Sequence, residues 1–448
     1  MFITGISTAP LLMNPKGIYF RDFFLFNLCF FALQLTYLYI LNKHFINALP
    51  IPFHMQLELG LTLLIHLSLY AALSFVQRLL LEGVLRRSWH RWSEAQWQMT
   101  IWVTCLITIL CANCYYFPLS NWSKLLDLPS WINVSLLGMS SLGIICLVIN
   151  YFLQHKSWLI SALILTLIIF LYPKSPPTLS TNNLRPNIII LGIDSLSPES
   201  VNQQNMPFLY QLINKNAQFT QSISPLARTY PAWSSILTGL YAKNHHAQEN
   251  LIADGLVSSK SSIIWTLRKS GYHAIYATDD RRFNGIDKDF GFNQIIGPKF
   301  GANDILLGSF NDFPLGNLLI NWSSSLWIFP YNYINRASFF SYYPQTFNQH
   351  LENELFLKKQ LSPLFLAVHF TLPHWPYAWA ESSPEQLDNE FSLERRNTLY
   401  QSSLRKVDNQ FHDFIRYLEK NDYLKNCLLI ILSDHGEALY YPGSRLTN

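Results

Sequence analysis

The sequence predicts a bundle of five membrane-spanning helices followed by an α/β domain, three layers deep with a mainly parallel sheet. Three observations carry this prediction. The first 172 residues are almost without charge, a break rich in Pro, Ser, Thr and Asn follows at 173–186, and β-branched runs then alternate with amphipathic stretches. The expected domains are therefore 1–172 in the membrane, a linker at 173–186, and a soluble domain over 187–448.

The membrane half comes first. Of the 448 residues, 50% are hydrophobic and only 13% charged, against about a quarter charged in an ordinary soluble domain. Apolar stretches long enough to cross a bilayer run at 19–41, 54–76, 99–118, 131–153 and 157–173. The first starts too late for a secretory leader, and no small-residue cleavage site follows it. The loop after the second stretch carries Arg78, Arg86, Arg87 and Arg91, and the N-terminal segment carries Lys16 and Arg21, whereas the loop after the first offers only Lys43. The positive-inside rule then puts the N-terminus in the cytoplasm and, after five crossings, the soluble domain outside it. The expected location is the cell (inner) membrane, multi-pass, with a periplasmic or extracellular soluble domain. A four-span alternative would invert that domain, and the loop charges disfavour it. The net charge of +4 is too mild and too scattered to suggest a nucleic-acid partner, and none is expected. Of six cysteines only Cys427 lies in the later half, so that half has no disulfide framework. Cys111 and Cys114 form a C-x-x-C inside an apolar run and read as packing residues.

In the soluble half, Asn187–Asp194, His273–Thr278, Leu364–Phe370 and Cys427–Asp434 are short, nearly all-apolar runs, as parallel strands covered on both faces should be. Helical periodicity over 204–216, 261–270 and 397–420 separates them. Sheets of this kind bind ligands beyond the carboxyl ends of their strands. Polar residues stand at three such places: Asp194, His374 just past its strand, and Asp434 with His435.

Four segments in order then carry a resemblance. G-I-D-S-L holds Asp194, R-T-Y-P-A-W-S-S-I-L-T-G runs over 228–239, P-H-W-P-Y over 373–377, and S-D-H-G-E over 433–437. Together they resemble the sulfatase domain of the alkaline phosphatase superfamily, across roughly 187–448. Gly271-Tyr272, Gly291-Phe292, Tyr400 and Asp408 agree with it. The resemblance implies a nucleophile two residues before the motif proline, at Thr229, and metal ligands Asp194, Thr229, Asp434 and His435. It also implies that His374 contacts a substrate oxygen or protonates the leaving group. Such chemistry is sound: a cation held by two carboxylates and an imidazole acidifies a coordinated hydroxyl and neutralises charge on phosphoryl oxygens.

Thr229 narrows what the resemblance implies. Sulfatases use a Cys or Ser oxidised to formylglycine, an aldehyde that threonine cannot yield, whereas threonine nucleophiles belong to the superfamily's phosphotransferases and phosphodiesterases. T-Y-P also resembles the nucleotide pyrophosphatases. The sulfatase pattern would place Arg at 233 and a second Asp at 195, where this chain has Trp233 and Ser195. The imidazole of His435 favours Zn²⁺ or Mn²⁺ over Ca²⁺, which prefers oxygen ligands. Five spans before an external domain resemble the lipid A phosphoethanolamine transferases and lipoteichoic acid synthases, which implies a phospholipid head-group donor. The expected function is a membrane-anchored, metal-dependent phosphotransferase or hydrolase acting on a phosphodiester. The alternatives are a sulfuric ester hydrolase and an impaired scaffold of the same fold.

Blander roles stand beside these. Thr229 could serve as an N-cap for a helix over Trp233–Leu237, Ser234 and Ser235 read as helix-surface residues, and His245 and His246 read as structural. The aromatic segment 302–345 reads either as a packed subdomain or as a surface lying on the bilayer. The family continues beyond S-D-H-G-E with a further substrate-site His or Lys. Because the chain stops at Asn448, a fold shortened at its C-terminus is expected.

Overall fold

The computed structural model describes residues 15–48, 53–85, 92–154, 185–252, 255–298, 312–322, 325–329, 333–357, 363–375, 377, 379, 393–437 and 439. They form two compact units.

The first unit is helical: α1 (Pro15–Ala48), α2 (Phe53–Leu85), α3 (Glu94–Tyr116) and α5 (Ser130–Gln154). Each contains a stretch long and apolar enough to span a membrane: Tyr19–Lys43, Leu59–Leu85, Glu94–Tyr116 and Ser130–Phe152. These correspond to the first four expected spans, and the fifth, at 157–173, lies outside the described residues. Their outer faces carry exposed Leu33, Leu64, Met139 and Leu142, while the polar side chains turn inward. Buried Asn27 donates to Ser74 Oγ and Gln77 Oε1 (both 2.8 Å) and accepts from Trp102 Nε1 at 3.0 Å. Gln34 and Tyr70 exchange hydrogen bonds. Apolar outside and hydrogen-bonded inside is the arrangement a lipid solvent demands. Helix α3 starts at a capping box that its sequence spells, Ser93 with Gln96, each side chain satisfying the other's backbone N–H. All six cysteines are free, those of the C-x-x-C included.

The second unit contains most of α4 (Asn121–Leu126), up to Lys124, and the α/β domain. Five parallel strands, β1 (Asn187–Ile193), β2 (His273–Thr278), β3 (Gln294–Ile296), β4 (Leu364–Phe370) and β5 (Cys427–Ser433), lie in the order β3-β2-β4-β1-β5. Four match the expected strands; β3, three residues long, has no apolar run to announce it. Alternate residues divide the core between the two faces. Ile189, Leu191, Ile193, Leu366, Val368 and Phe370 face one side, where Tyr400, Leu404, Val407, Phe411, Phe414 and Leu418 of a helix over Leu393–Lys420 cover them. That spacing of four and three residues is the apolar stripe of a helix laid on a sheet. Ile190, Tyr276, Phe365 and Ala367 face the other side, under Trp233 and Leu237. β5 departs from the expectation of strands covered on both faces. It is an edge strand on which Leu428 and Ile430 are 54% and 36% exposed, and among the described residues nothing covers them.

Candidate active site

The parallel register brings the strand ends level. Ile193 stands opposite Phe370 on one side and Ser433 on the other, so Asp194 and Asp434 leave the sheet side by side. Opposite them starts the helix Thr229–Thr238, labelled α6 here. It begins four residues earlier than the sequence suggests, because Pro231 sits in the first turn, where its missing N–H costs nothing. Thr229 is therefore the first helical residue and not the cap, which is Arg228. The helix stops at Gly239, whose φ of +70° ends it in the left-handed conformation. Ser234 is not on the surface but fully buried, and Ser235 bonds the Nε2 atom of His245 at 2.9 Å. His245 is buried and also accepts from the Ala247 N–H through Nδ1, which is a structural bonding pattern.

At the start of α6 the Thr229 hydroxyl lies 3.4 Å from His435 Nε2. That nitrogen is 3.5 Å from Asp194 Oδ1 and 3.7 Å from Asp434 Oδ2. The structure thus gathers Asp194, Thr229, Asp434 and His435, all buried. It adds a residue that the sequence did not single out. His369 of β4 is fully buried with Nε2 3.4 Å from Asp434 Oδ2 and 3.7 Å from Asp194 Oδ2. Its signal in the sequence is a single imidazole inside an apolar strand. His374 is not brought to this cluster. Its ring stacks on Phe283 (centroids 6.0 Å apart), and its Nδ1 bonds the Trp375 carbonyl.

Hydrogen bonds fix each group. Asp434 Oδ1 accepts from the N–H groups of His435 (2.9 Å) and Ser195 (3.3 Å), while its buried Oδ2 has no hydrogen-bond partner. Ser195 holds φ at +57°, kept there by Tyr400, whose hydroxyl donates to its carbonyl at 2.8 Å, and its own hydroxyl donates to Asp194 at 3.0 Å. His435 Nδ1 donates to the Gly436 carbonyl (3.0 Å), which turns Nε2 toward Thr229 and the carboxylates. For His369 the ring orientation is set by Asn284. The Oδ1 of that amide accepts from Ile286 N–H, so its NH₂ faces His369 Nδ1 at 3.4 Å, which leaves Nε2 turned toward the two carboxylates. Trp233 occupies the position where an Arg is expected of a sulfatase. It is fully buried, edge-on to His369, and packs so close to β1 that a Cβ on Gly192 would lie 2.6 Å from its ring. A side chain at 192 would push α6 off the sheet.

Burial would push the Asp434 carboxyl up, but the imidazoles of His435 and His369 beside it outweigh this and hold it down at about 2. Burial works the other way on His435, and there the Asp434 and Asp194 carboxylates win, raising the imidazole to about 9. The cluster is electrostatically poised for positive charge at its centre.

The sulfatase family profile matches residues 186–447, more than half of the chain. The chain belongs to the sulfatase family. A comparison with curated proteins returns no match. Among solved structures, an alkaline phosphatase superfamily protein from Vibrio parahaemolyticus is 20% identical over 59% of this chain and 58% of its own, with a TM-score of 0.37. The lipoteichoic acid synthase LtaP from Listeria monocytogenes is 16% identical over 56% of each chain, with a TM-score of 0.35. The phosphonate monoester hydrolase SpPMH from Silicibacter pomeroyi is 16% identical over 59% of this chain and 64% of its own, at 0.40. The chain thus spans less than two thirds of the length of each.

The donor set fits a divalent cation. Asp194, His369 and Asp434 each bring a ligand atom within 4.8 Å of the others, and one of those atoms, Asp434 Oδ2, is a buried acceptor left without a donor. Ligands at about 2.0–2.2 Å around a tetrahedral ion stand about 3.3–3.6 Å apart, close to the 3.4–3.7 Å separations here.

Proposed function

We propose that this member of the sulfatase family is a membrane-anchored, metal-dependent phosphotransferase or hydrolase that attacks a phosphodiester, in the first instance a lipid head group, through Thr229. The observation that carries the reading is the Thr229 hydroxyl at the N-terminal end of α6, 3.4 Å from His435 Nε2 and inside the carboxylate cluster. Asp194, Asp434, His435 and Thr229 would hold the ion, with Zn²⁺ or Mn²⁺ favoured by the imidazole. When bound, it would acidify the threonine hydroxyl and neutralise charge on the phosphoryl oxygens.

The chain's own groups supply the rest. Thr229 Oγ, its proton released to solvent as the hydroxyl ionises, forms the bond to phosphorus as the ester P–O bond breaks, and the departing alkoxide takes a proton from water. A phosphothreonine remains, which an acceptor hydroxyl or water then attacks. The N–H groups opening α6 place their partial positive charge beside the phosphoryl oxygens. His369 Nε2 faces both Asp194 and Asp434 and would help to hold those carboxylates in orientation. Against sulfate ester hydrolysis stand the threonine, which cannot become formylglycine, and Trp233, which fills the expected arginine position with apolar packing.

The domain would lie outside the cytoplasm, as the loop charges imply. Ser120 Oγ and the Asn121 N–H, in the connection between α3 and α5, donate to Asp312 at 2.7 and 2.6 Å within the second unit. Hydrolysis of a phosphodiester and of a sulfate monoester, each compared between the wild type and Thr229→Ala, tests the reading. Phosphodiester turnover that Thr229→Ala abolishes supports it. Sulfate turnover, or phosphodiester turnover that survives the substitution, overturns it.

A further inference from the structure

The aromatic segment that the site does not use has a divided character. Phe313 is fully buried in the helical unit, its ring 4.3 Å from His66 and 5.3 Å from Phe31, and Leu315 packs on the same cluster. Asn317 donates to Asn113 Oδ1 at 3.0 Å, one turn before the end of α3. A few residues later the burial stops. Trp322 and Trp327 are 61% and 88% exposed, and Leu326 between them is also exposed. Tryptophans left open to water on a soluble surface are unusual, since each would bury a large apolar area.

We propose that Trp322 and Trp327 seat in the interfacial layer of the bilayer, so that the bound partner of this surface is lipid. The argument is one of reach. The α3 end beside Asn113 carries exposed Tyr115 and Tyr116, and the α5 start that follows carries exposed Trp131. These are aromatics at the ends of apolar spans, the positions of an interfacial belt. Trp322 is five residues from Asn317, so the chain alone keeps it within about 17–18 Å of that anchor, and the Ser325 N–H bond to the Trp322 carbonyl (2.8 Å) and the helical turn Ser325–Ile328 keep Trp327 near it, while the polar layer of each leaflet is itself several ångströms thick. Indole rings are amphipathic and collect at that depth. The same segment continues to Arg336, which donates to the carbonyls of His374 and Trp375. A lipid-seated anchor is thus joined through Arg336 and its hydrogen bonds to the His374 loop. The proposal stands independently of the threonine chemistry, because it concerns lipid contact alone.

The test uses the full chain in nanodiscs of phosphatidylethanolamine and phosphatidylglycerol. Benzoylphenylalanine replaces Trp322 or Trp327, and for contrast Lys425, which precedes β5 at the opposite end of the sheet from the site. Illumination followed by intact mass should give phospholipid adducts from positions 322 and 327 and none from 425. Adducts to protein only, or none, at 322 and 327 would overturn the proposal. Should those variants fail to fold, Trp322→Phe with Trp327→Phe decides. Tryptophan quenching by lipids brominated near the head group must then fall relative to the wild type, and unchanged quenching overturns the proposal equally.

Discussion

Raising the pH from about 6 to 8 should tighten Zn²⁺ binding by about tenfold per unit, because occupying the site must displace the proton that His435 carries in the metal-free protein. The magnitude follows from the structure. The Asp434 and Asp194 carboxylates hold the His435 imidazole up to about 9, so throughout this range one proton leaves for each ion bound. One proton per ion is about 1.4 kcal/mol of affinity per pH unit. If Thr229 ionises on binding it contributes a second proton, and Thr229→Ala should then lower the slope by one. The sign for the metal-free protein is opposite. A group with a raised folded pKa stabilises the fold fully below its unfolded value of about 6.5, and that stability is lost as pH rises through about 9. Competition against a fluorescent chelator at several pH values reads the slope directly. His435→Gln should abolish it and weaken binding throughout. An affinity that is flat across this range in the wild type would refute the assignment of a charged His435 as a ligand.

Other predictions rest on neighbouring features. Gly192→Ala should cost about 1–3 kcal/mol, seen as a lower melting temperature, because its Cβ would meet the Trp233 ring at 2.6 Å. Asp280 is buried, yet the guanidinium groups of Arg282 and Arg336 hold its carboxyl well below the usual range. The stability this supplies is present above the unfolded carboxylate value of about 3.9 and is lost as pH falls toward the folded value. Asp280→Asn should therefore lower stability at neutral pH and flatten its decline in acid, measured by thermal melts over pH. Arg336→Met should reduce kcat by about 10–100-fold with little change in KM, by freeing the His374 carbonyl and letting that loop drift beside the proposed site. Arg336→Lys should recover only part of it.

Much of this architecture was legible because it rests on patterns that local physics enforces. The apolar runs of β1, β2 and β4 match strands covered on both faces, and the capping box at Ser93 marks the start of α3. The motif segments placed Asp194, Thr229, Asp434 and His435 together, since each lies at a strand end or helix start that the parallel register aligns. What escaped the sequence depended on tertiary context. His369 carries no local signature, because an imidazole within an apolar strand shows its purpose only when β1 and β5 bring two carboxylates to it. The early start of α6 was hidden by Pro231, which reads as a helix boundary until it is seen in the first turn. Ser234 looked exposed because the Ser-Ser pair is polar, yet α6 is buried on nearly every side. The open face of β5 reflects that nothing among the described residues packs on Leu428 and Ile430, which no strand's own sequence reveals.

The central claim is that Thr229 takes up a phosphoryl group. Intact mass of the full-length protein and of Thr229→Ala, after incubation with phospholipid and Zn²⁺ or Mn²⁺, tests it most directly. The account predicts an adduct with the mass of a phosphorylated head group on the wild type, and none on the variant. A folded wild-type protein that gains no adduct with any lipid or either metal, or an adduct that persists without Thr229, would contradict it.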